Sequence, residues 1–331
     1  MEDRDIFQEL SAMFQSLNID EKQKQIMFDN LLKLQNQKLN IMITGATGSG
    51  KSSTINAMFR REVAKVGVGV DPETMDITKY TINNMILWDS PGLGDGKEAD
   101  TRHAKNIISK LNERDSDGNA LIDLVLVILD GGSRDLGTSY ELINSVIIPN
   151  LGDNKEQQEQ RILVAINQCD MAMKGKHWDS VNNKPDEVLT KFLDEKAESV
   201  RRRIREGTGV DVMPVYYSAG YKDGDEQQAP YNLSKLLYLI IQHTPKKKRL
   251  IYATTTSRDP EVWKDNDELK DYGKEIRSSF VDTIVECASE GADIGGEIGG
   301  IFGKAGEVVG RVAGGIVGAA VGFVKSLFSW W

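Results

Sequence analysis

The sequence predicts an α/β fold: a three-layer arrangement with a mostly parallel sheet covered by helices on both faces, extended by N-terminal and C-terminal helical segments. Three observations predict it. Short apolar strands alternate with helix-length segments through residues 39–245. The strands are apolar along their whole length, as in Leu124-Val125-Leu126-Val127-Ile128-Leu129, the pattern of strands buried on both faces. The first strand also runs straight into a glycine-rich turn, Gly45 to Gly50, that opens a helix.

Taken in order, residues 1–38 form an N-terminal helical segment. Ile6, Leu10, Met13, Phe14 and Leu17 recur at helical spacing, and Ile26, Met27, Leu31, Leu32 and Leu34 repeat the pattern. Asp20, between the two runs, is a suitable N-cap. Strands are expected at 39–44, 79–82, 85–89, 122–129, 161–166 and 212–217. Asn83-Asn84 reads as a tight hairpin turn, because Asn tolerates positive φ. Helices are expected near 53–60, 101–112, 138–147, 186–206 and 232–242, which makes 39–245 one domain. After Pro245 come a basic run, Lys246 to Arg249, a helix-like stretch at 261–290, and a glycine-rich apolar tail to Trp331; 246–331 reads as a separate C-terminal module.

Composition narrows the function. With 40% hydrophobic and 27% charged residues, the 331-residue chain fits a soluble globular protein. Its net charge of −9 argues against a dedicated nucleic-acid binder, which needs a broad basic surface. Cys169 and Cys287 offer no disulfide framework, which suits a reducing cytosol. The three histidines are too scattered for a zinc site. Met1 to Asp5 is charged and lacks the apolar core of a secretory signal, so a cytoplasmic location is expected, with peripheral membrane contact as an added role.

The chemistry begins at Gly45-Ala46-Thr47-Gly48-Ser49-Gly50-Lys51-Ser52, which matches GxxxxGK[ST] at every defined position. Glycines let backbone amides point inward as an anion nest, and the following helix offers its N-terminus to phosphate. Gly45, Thr47, Gly48, Ser49, Gly50, Lys51, Ser52 and Ser53 are therefore the expected phosphate contacts. Lys51 is placed to reach the β- and γ-phosphates, and the Ser52 hydroxyl to ligate Mg²⁺. Asp89-Ser90-Pro91-Gly92 ends an apolar strand. Asp89 there can hold Mg²⁺, and Gly92, without a Cβ, can bring its amide to the γ-phosphate.

The base-recognition signal is Asn167-Gln168-Cys169-Asp170, which resembles the Asn-Lys-x-Asp motif of GTPases. There the aspartate accepts two guanine N–H groups, a donor pair that adenine lacks. Gln168 replaces the usual lysine. Ser218-Ala219 resembles the loop whose backbone amide meets guanine O6, with Gly220 where lysine is usual. GTP and GDP are thus the expected ligands, with Mg²⁺ as cofactor.

Together these motifs resemble the Era-like GTPases of the TRAFAC class. Within that class the chain resembles the bacterial YfjP/YkfA-type GTPase family. The likeness also takes in Asp89-x-Pro-Gly-x-Gly94, Asp123 to Val127, Gln168-Cys169-Asp170 with His177-Trp178-Asp179, and the aromatic end Phe328-Ser329-Trp330-Trp331. The resemblance implies a cytoplasmic GTPase and makes Thr74 the residue that closes over Mg²⁺ and the γ-phosphate, with Thr78 and Thr81 as alternatives. Lys51, Thr74 and Gly92 are then the catalytic candidates, and Ser52, Thr74 and Asp89 the metal ligands.

Leu93 stands where small GTPases often place a water-orienting glutamine, so slow intrinsic hydrolysis is expected. Gly48 likewise stands where an asparagine would hold a potassium ion. Dimerisation across the nucleotide face, a partner protein, or a residue such as Arg134 or Asp135 must then supply the missing group. In the tail, Gly306, Gly310, Gly314, Gly318 and Gly322 recur every four residues, and Gly295, Gly299 and Gly303 form a second series. Interior helix glycines cost ~1 kcal/mol each, so the stripe implies close helix approach. The charge-free run from Val312 to Val324 is shorter than the ~20 residues of a spanning helix. Two readings stay open for the tail: contact with a membrane surface or a helical partner, anchored by Phe323, Phe328, Trp330 and Trp331, or packing on the N-terminal helices.

Overall fold

The computed structural model describes residues 6–59, 77–92, 94, 96–220, 222–223, 226–255, 257–290 and 307–329. The chain divides into two compact units. One comprises Leu39–Thr244 with Asp259–Tyr272; the other comprises Met1–Lys38, Pro245–Arg258 and Gly273–Trp331.

The larger unit is built on a six-stranded sheet. Its strands are β1 (Leu39–Gly45), β2 (Thr78–Ile82), β3 (Met85–Asp89), β4 (Leu124–Asp130), β5 (Ile162–Asn167) and β6 (Val215–Tyr216), in the spatial order β2-β3-β1-β4-β5-β6. All neighbours run parallel except β2, which is antiparallel to β3. The β2–β3 hairpin turns at Asn83, whose φ of 51° is left-handed. Every residue of β1 and of β5 is buried, so helices must cover both faces. On one face Val125, Val127 and Leu129 of β4 pack with Ile107 and Leu111 of α4 (Lys97–Asn112) and with Val200 and Ile204 of α7 (Glu187–Thr208). The alternate residues Leu124, Leu126 and Ile128 point to the other face. There α3 (Lys51–Phe59) packs on β1, and α8 (Leu233–His243) on β4 and β5. A short helix, α6 (Lys155–Gln160), leads into β5 and is capped by Asn154.

The expected elements form with three corrections. The strand expected at 212–217 shrinks to Val215–Tyr216, since Pro214 has no N–H to give a ladder. The helix expected at 138–147 is α5 (Gly137–Glu141), running into a wider π-helical turn at Leu142–Ile147, with Pro149 in the 3₁₀ turn that follows. The run 261–290 is not one helix: a 3₁₀ turn at Pro260–Trp263 precedes α10 (Tyr272–Ser289). Side-chain carboxylates capture backbone amides between them. Asp265 Oδ1 accepts from Tyr272 N at 3.2 Å and Asp267 Oδ1 from Leu269 N at 3.2 Å, bonds that compete with the helix.

In the smaller unit, α1 (Ile6–Ser16) and α2 (Glu21–Gln35) are separated by Asp20, which caps α2 by accepting from Gln23 N at 2.8 Å. Asn30 of α2 donates to the carbonyls of Cys287 and Glu290, at 3.1 and 2.6 Å, tying α2 to the end of α10. The basic run joins the same bundle. Lys247 pairs with Glu290 at 2.6 Å, and Arg249, which opens α9 (Arg249–Ala253), donates to Ser279 Oγ at 2.8 Å. The tail helix α11 (Glu307–Leu327) buries Ile316, Ala320, Phe323 and Val324, and Phe328 beyond it stacks on Phe280 with centroids 5.7 Å apart. Four of its glycines do not mediate close approach among the described residues. A Cβ at Gly314, Gly315, Gly318 or Gly322 would meet nothing within 4 Å. The glycines at 295, 299, 303 and 306 and the last two tryptophans lie outside the described residues. No helix among the described residues is long and apolar enough to cross a membrane.

Candidate nucleotide-binding site

The glycine-rich loop lies between the end of β1 and the start of α3, at the carboxyl edge of the sheet. Gly45, Gly48 and Gly50 have φ of 148°, 81° and 85°, values that L side chains rarely adopt. Space forbids a side chain at two of them as well: a Cβ on Gly45 would strike Ile128 O, and one on Gly50 would strike Asn167 Nδ2. Lys51 Nζ curls over the loop, donating to the carbonyls of Gly45 and Ala46 at 3.3 and 3.2 Å.

Asp89 ends β3 beside β1, opposite Ile43. It is 1% exposed, and neither carboxylate oxygen has a hydrogen-bond partner among the described residues. Burial raises its pKa from 3.8 to about 6, with Lys51 pulling the other way. A bare, buried carboxylate within the field of a lysine is a suitable donor for a hard divalent cation. Thr78, the first residue of β2, is registered opposite Asp89. Gly92 packs so tightly on the loop that a Cβ would collide with Thr47 N.

On the other flank, Asn167 at the end of β5 is 2% exposed and spans two loops. Its Nδ2 donates to Ser49 O at 3.0 Å and its Oδ1 accepts from Ala219 N at 3.0 Å. Gln168, with φ 57°, donates through Nε2 to Gly48 O at 2.9 Å. Its side chain therefore braces the phosphate loop. Asp170 Oδ1 is buried without a partner among the described residues. Ser218 is locked by paired backbone bonds with Tyr231, at 3.0 and 2.9 Å, and its Oγ accepts from Gly220 N at 3.3 Å. The structure thus gathers the loop residues 45–53, Asp89, Gly92, Asn167, Gln168 and Ala219. Thr74 and Leu93 lie outside the described residues.

Three positioning groups escaped the sequence reading. His103 of α4 is 1% exposed and sits with Nδ1 3.1 Å from Gly92 O. Since a carbonyl only accepts, this contact needs a proton on Nδ1, and the buried Nε2 has no hydrogen-bond partner among the described residues. Tyr217 is fully buried, its hydroxyl 2.6 Å from Thr54 Oγ1 in α3, which itself donates to Gly50 O at 2.8 Å. Lys196 of α7 donates to the carbonyls of Asp130, Gly131 and Ser133 at 3.4, 2.5 and 2.7 Å, clamping the loop after β4. No local motif marks these residues; only the fold brings them to the site.

Residues 40–173 match the family model for 50S ribosome-binding GTPases. Among curated proteins, the chain is 39% identical over 72 residues to mouse (Mus musculus) interferon-inducible GTPase 1, covering 20% of this chain and 17% of the relative. It is 30% identical over 136 residues to the uncharacterized protein YfjP of Escherichia coli, covering 40% and 42%. The chain therefore spans less than half the length of these relatives. Among solved structures, it aligns with Era from Aquifex aeolicus at 18% identity and a TM-score of 0.40, covering 63% of this chain and 57% of that one. With Toc33 of Arabidopsis thaliana the figures are 17% identity, TM-score 0.39, and 65% and 84% coverage. The phosphate-loop geometry, the strand order and the match over residues 40–173 give the larger unit the α/β fold of P-loop GTPases, with a mostly parallel sheet.

Proposed function

We propose that the protein binds GTP and GDP with Mg²⁺ and hydrolyses GTP slowly, as a YfjP-type cytoplasmic switch whose C-terminal helices contact a membrane surface or a protein partner. The observation that carries this reading is Asp89, a buried carboxylate with two bare oxygens beside a phosphate loop and its lysine. In this reading the amides of residues 45–53 cradle the phosphates, and Lys51 leaves its loop carbonyls for the β- and γ-phosphates. Ser52, Asp89 and Thr74 hold the metal. Bound there, Mg²⁺ supplies charge neutralisation for the phosphates. Gly92 donates its amide to the γ-phosphate. Asp170 reads the guanine edge together with Ala219 N–H, which leaves Asn167 Oδ1 to do so, while Asn167, Gln168 and Ser218 fix their loops.

A second reading makes the tail the effector and hydrolysis its reset. The outward glycines of α11 favour it, with Val317, 39% exposed, beside them. A homodimer across the nucleotide face is the further arrangement that supplies a catalytic group in trans.

The test is nucleotide affinity by calorimetry for GTP, GDP and ATP with and without Mg²⁺, followed by phosphate release with and without liposomes. The expected result is guanine-selective, Mg²⁺-dependent binding that Lys51→Ala weakens about 100-fold for the triphosphate, or ~3 kcal/mol. Unchanged triphosphate affinity in that variant sinks the site assignment. Flotation of the full-length chain with liposomes, in GTP analogue against GDP, separates the two roles of the tail.

A further inference from the structure

Outside the phosphate loop, the larger unit carries a groove of about 990 Å³ between the loop after β4, the loop after Asp170 and one face of α7. Its charge is one-sided. Arg134, Lys174, Lys176, Lys196 and Arg203 line it against a single carboxylate, Glu195, on a chain whose net charge is −9. Lys196 is engaged with three carbonyls, and Arg203 lies over the Tyr140 ring at 5.3 Å. Arg134, Lys174 and Lys176 are exposed and have no anionic partner among the described residues.

The groove is also apolar. Leu136, Tyr140, Met173 and Val200 contribute to its lining, with Phe192, which is 36% exposed. Met173 and Lys174 take consecutive left-handed conformations, φ 53° and 63°, which set this rim of the groove. Concavity argues against a flat lipid surface as occupant. A nucleic-acid duplex would satisfy the cations through its phosphates but leave the apolar lining uncovered, and the chain's net charge of −9 opposes a polyanion. A segment alternating carboxylates with apolar side chains matches both features.

We propose that this groove binds an acidic, apolar-interspersed peptide segment of a protein partner. The site is distinct from the tail and does not depend on what the tail contacts.

The test uses the full chain and short fluorescein-labelled peptides that intersperse Asp and Glu with Leu and Phe at several spacings. Matched peptides carrying Lys in place of the acids are the controls, and the readout is fluorescence anisotropy. The acidic set is expected to bind, the basic set not. Affinity should fall about tenfold or more in Lys174→Glu/Lys176→Glu and in Phe192→Ser, and should weaken with added salt. Unchanged melting temperature and nucleotide affinity in these variants establish that they fold. Absence of binding across the acidic set overturns the proposal, as does binding that the charge reversal leaves intact. If the reversal instead abolishes sedimentation with phosphatidylserine vesicles, or self-association, while no peptide binds, the groove has a different occupant and the proposal also fails.

Discussion

Asp89 concentrates the electrostatic cost of the site. Its folded pKa, about 6, lies above the usual 3.8, so between those values the folded chain holds a proton that the unfolded chain has released. Stability must therefore fall as pH rises through that window and level off above about pH 6. The size is about 2–3 kcal/mol at neutral pH, because each tenfold change in an ionisation constant is worth roughly 1.4 kcal/mol. Asp89→Asn should accordingly stabilise the nucleotide-free protein near pH 7 by about that amount and flatten the slope. Urea denaturation at several pH values measures it. The same substitution should cost the Mg²⁺ dependence of nucleotide binding. A variant no more stable than wild type would mean that Asp89 is satisfied by a group not yet identified.

At the scale of elements, the phosphate loop is held from behind. The hydrogen bond between Tyr217 and Thr54 joins the end of the sheet to α3, while Asn167 ties the loop's Ser49 to Ala219. Tyr217→Phe removes one hydroxyl and leaves Thr54 its bond to Gly50 O, so a loss of about 1 kcal/mol is expected by chemical denaturation. The elements themselves were legible where the pattern was strong. Continuous apolar runs gave β1, β4 and β5, and Asp20 marked the start of α2. Legibility failed where local chemistry competed with periodicity. Pro214 cut β6 short, and the Asp265–Asp267 stretch turned an expected helix into a capped loop. The phosphate loop could be read because its residues are contiguous. Tyr217 and Lys196 could not, because each acts on a group far away in sequence, and His103 could not, because no motif links it to Gly92.

At the scale of the whole molecule, segments from the two ends of the sequence, read separately as 1–38 and 246–331, group into one unit, and 259–272 groups with the larger one. The cue was weak. Asn30 meets Cys287 and Glu290 across more than two hundred and fifty residues, a pairing that no periodicity encodes. The tail glycines are the sharpest test of what that unit is for. Gly314, Gly318 and Gly322 lie in a helix and have open space where a Cβ would go. Replacing all three with Ala should stabilise the chain by about 2–3 kcal/mol, near 1 kcal/mol each. Thermal unfolding reads this directly. If flotation or partner binding is lost while stability rises, the glycines serve an external surface.

Trp88 gives the protein an intrinsic optical gauge. Its indole, one residue before Asp89, donates to Asn40 Oδ1 at 3.0 Å and lies beneath the Lys110 ammonium, 4.2 Å from the ring centroid. Lys110 belongs to α4, the helix whose His103 meets Gly92 O. Any ligand that shifts Gly92 pulls on that helix and changes the positive charge above the ring, so emission from this indole should report the shift without an attached dye.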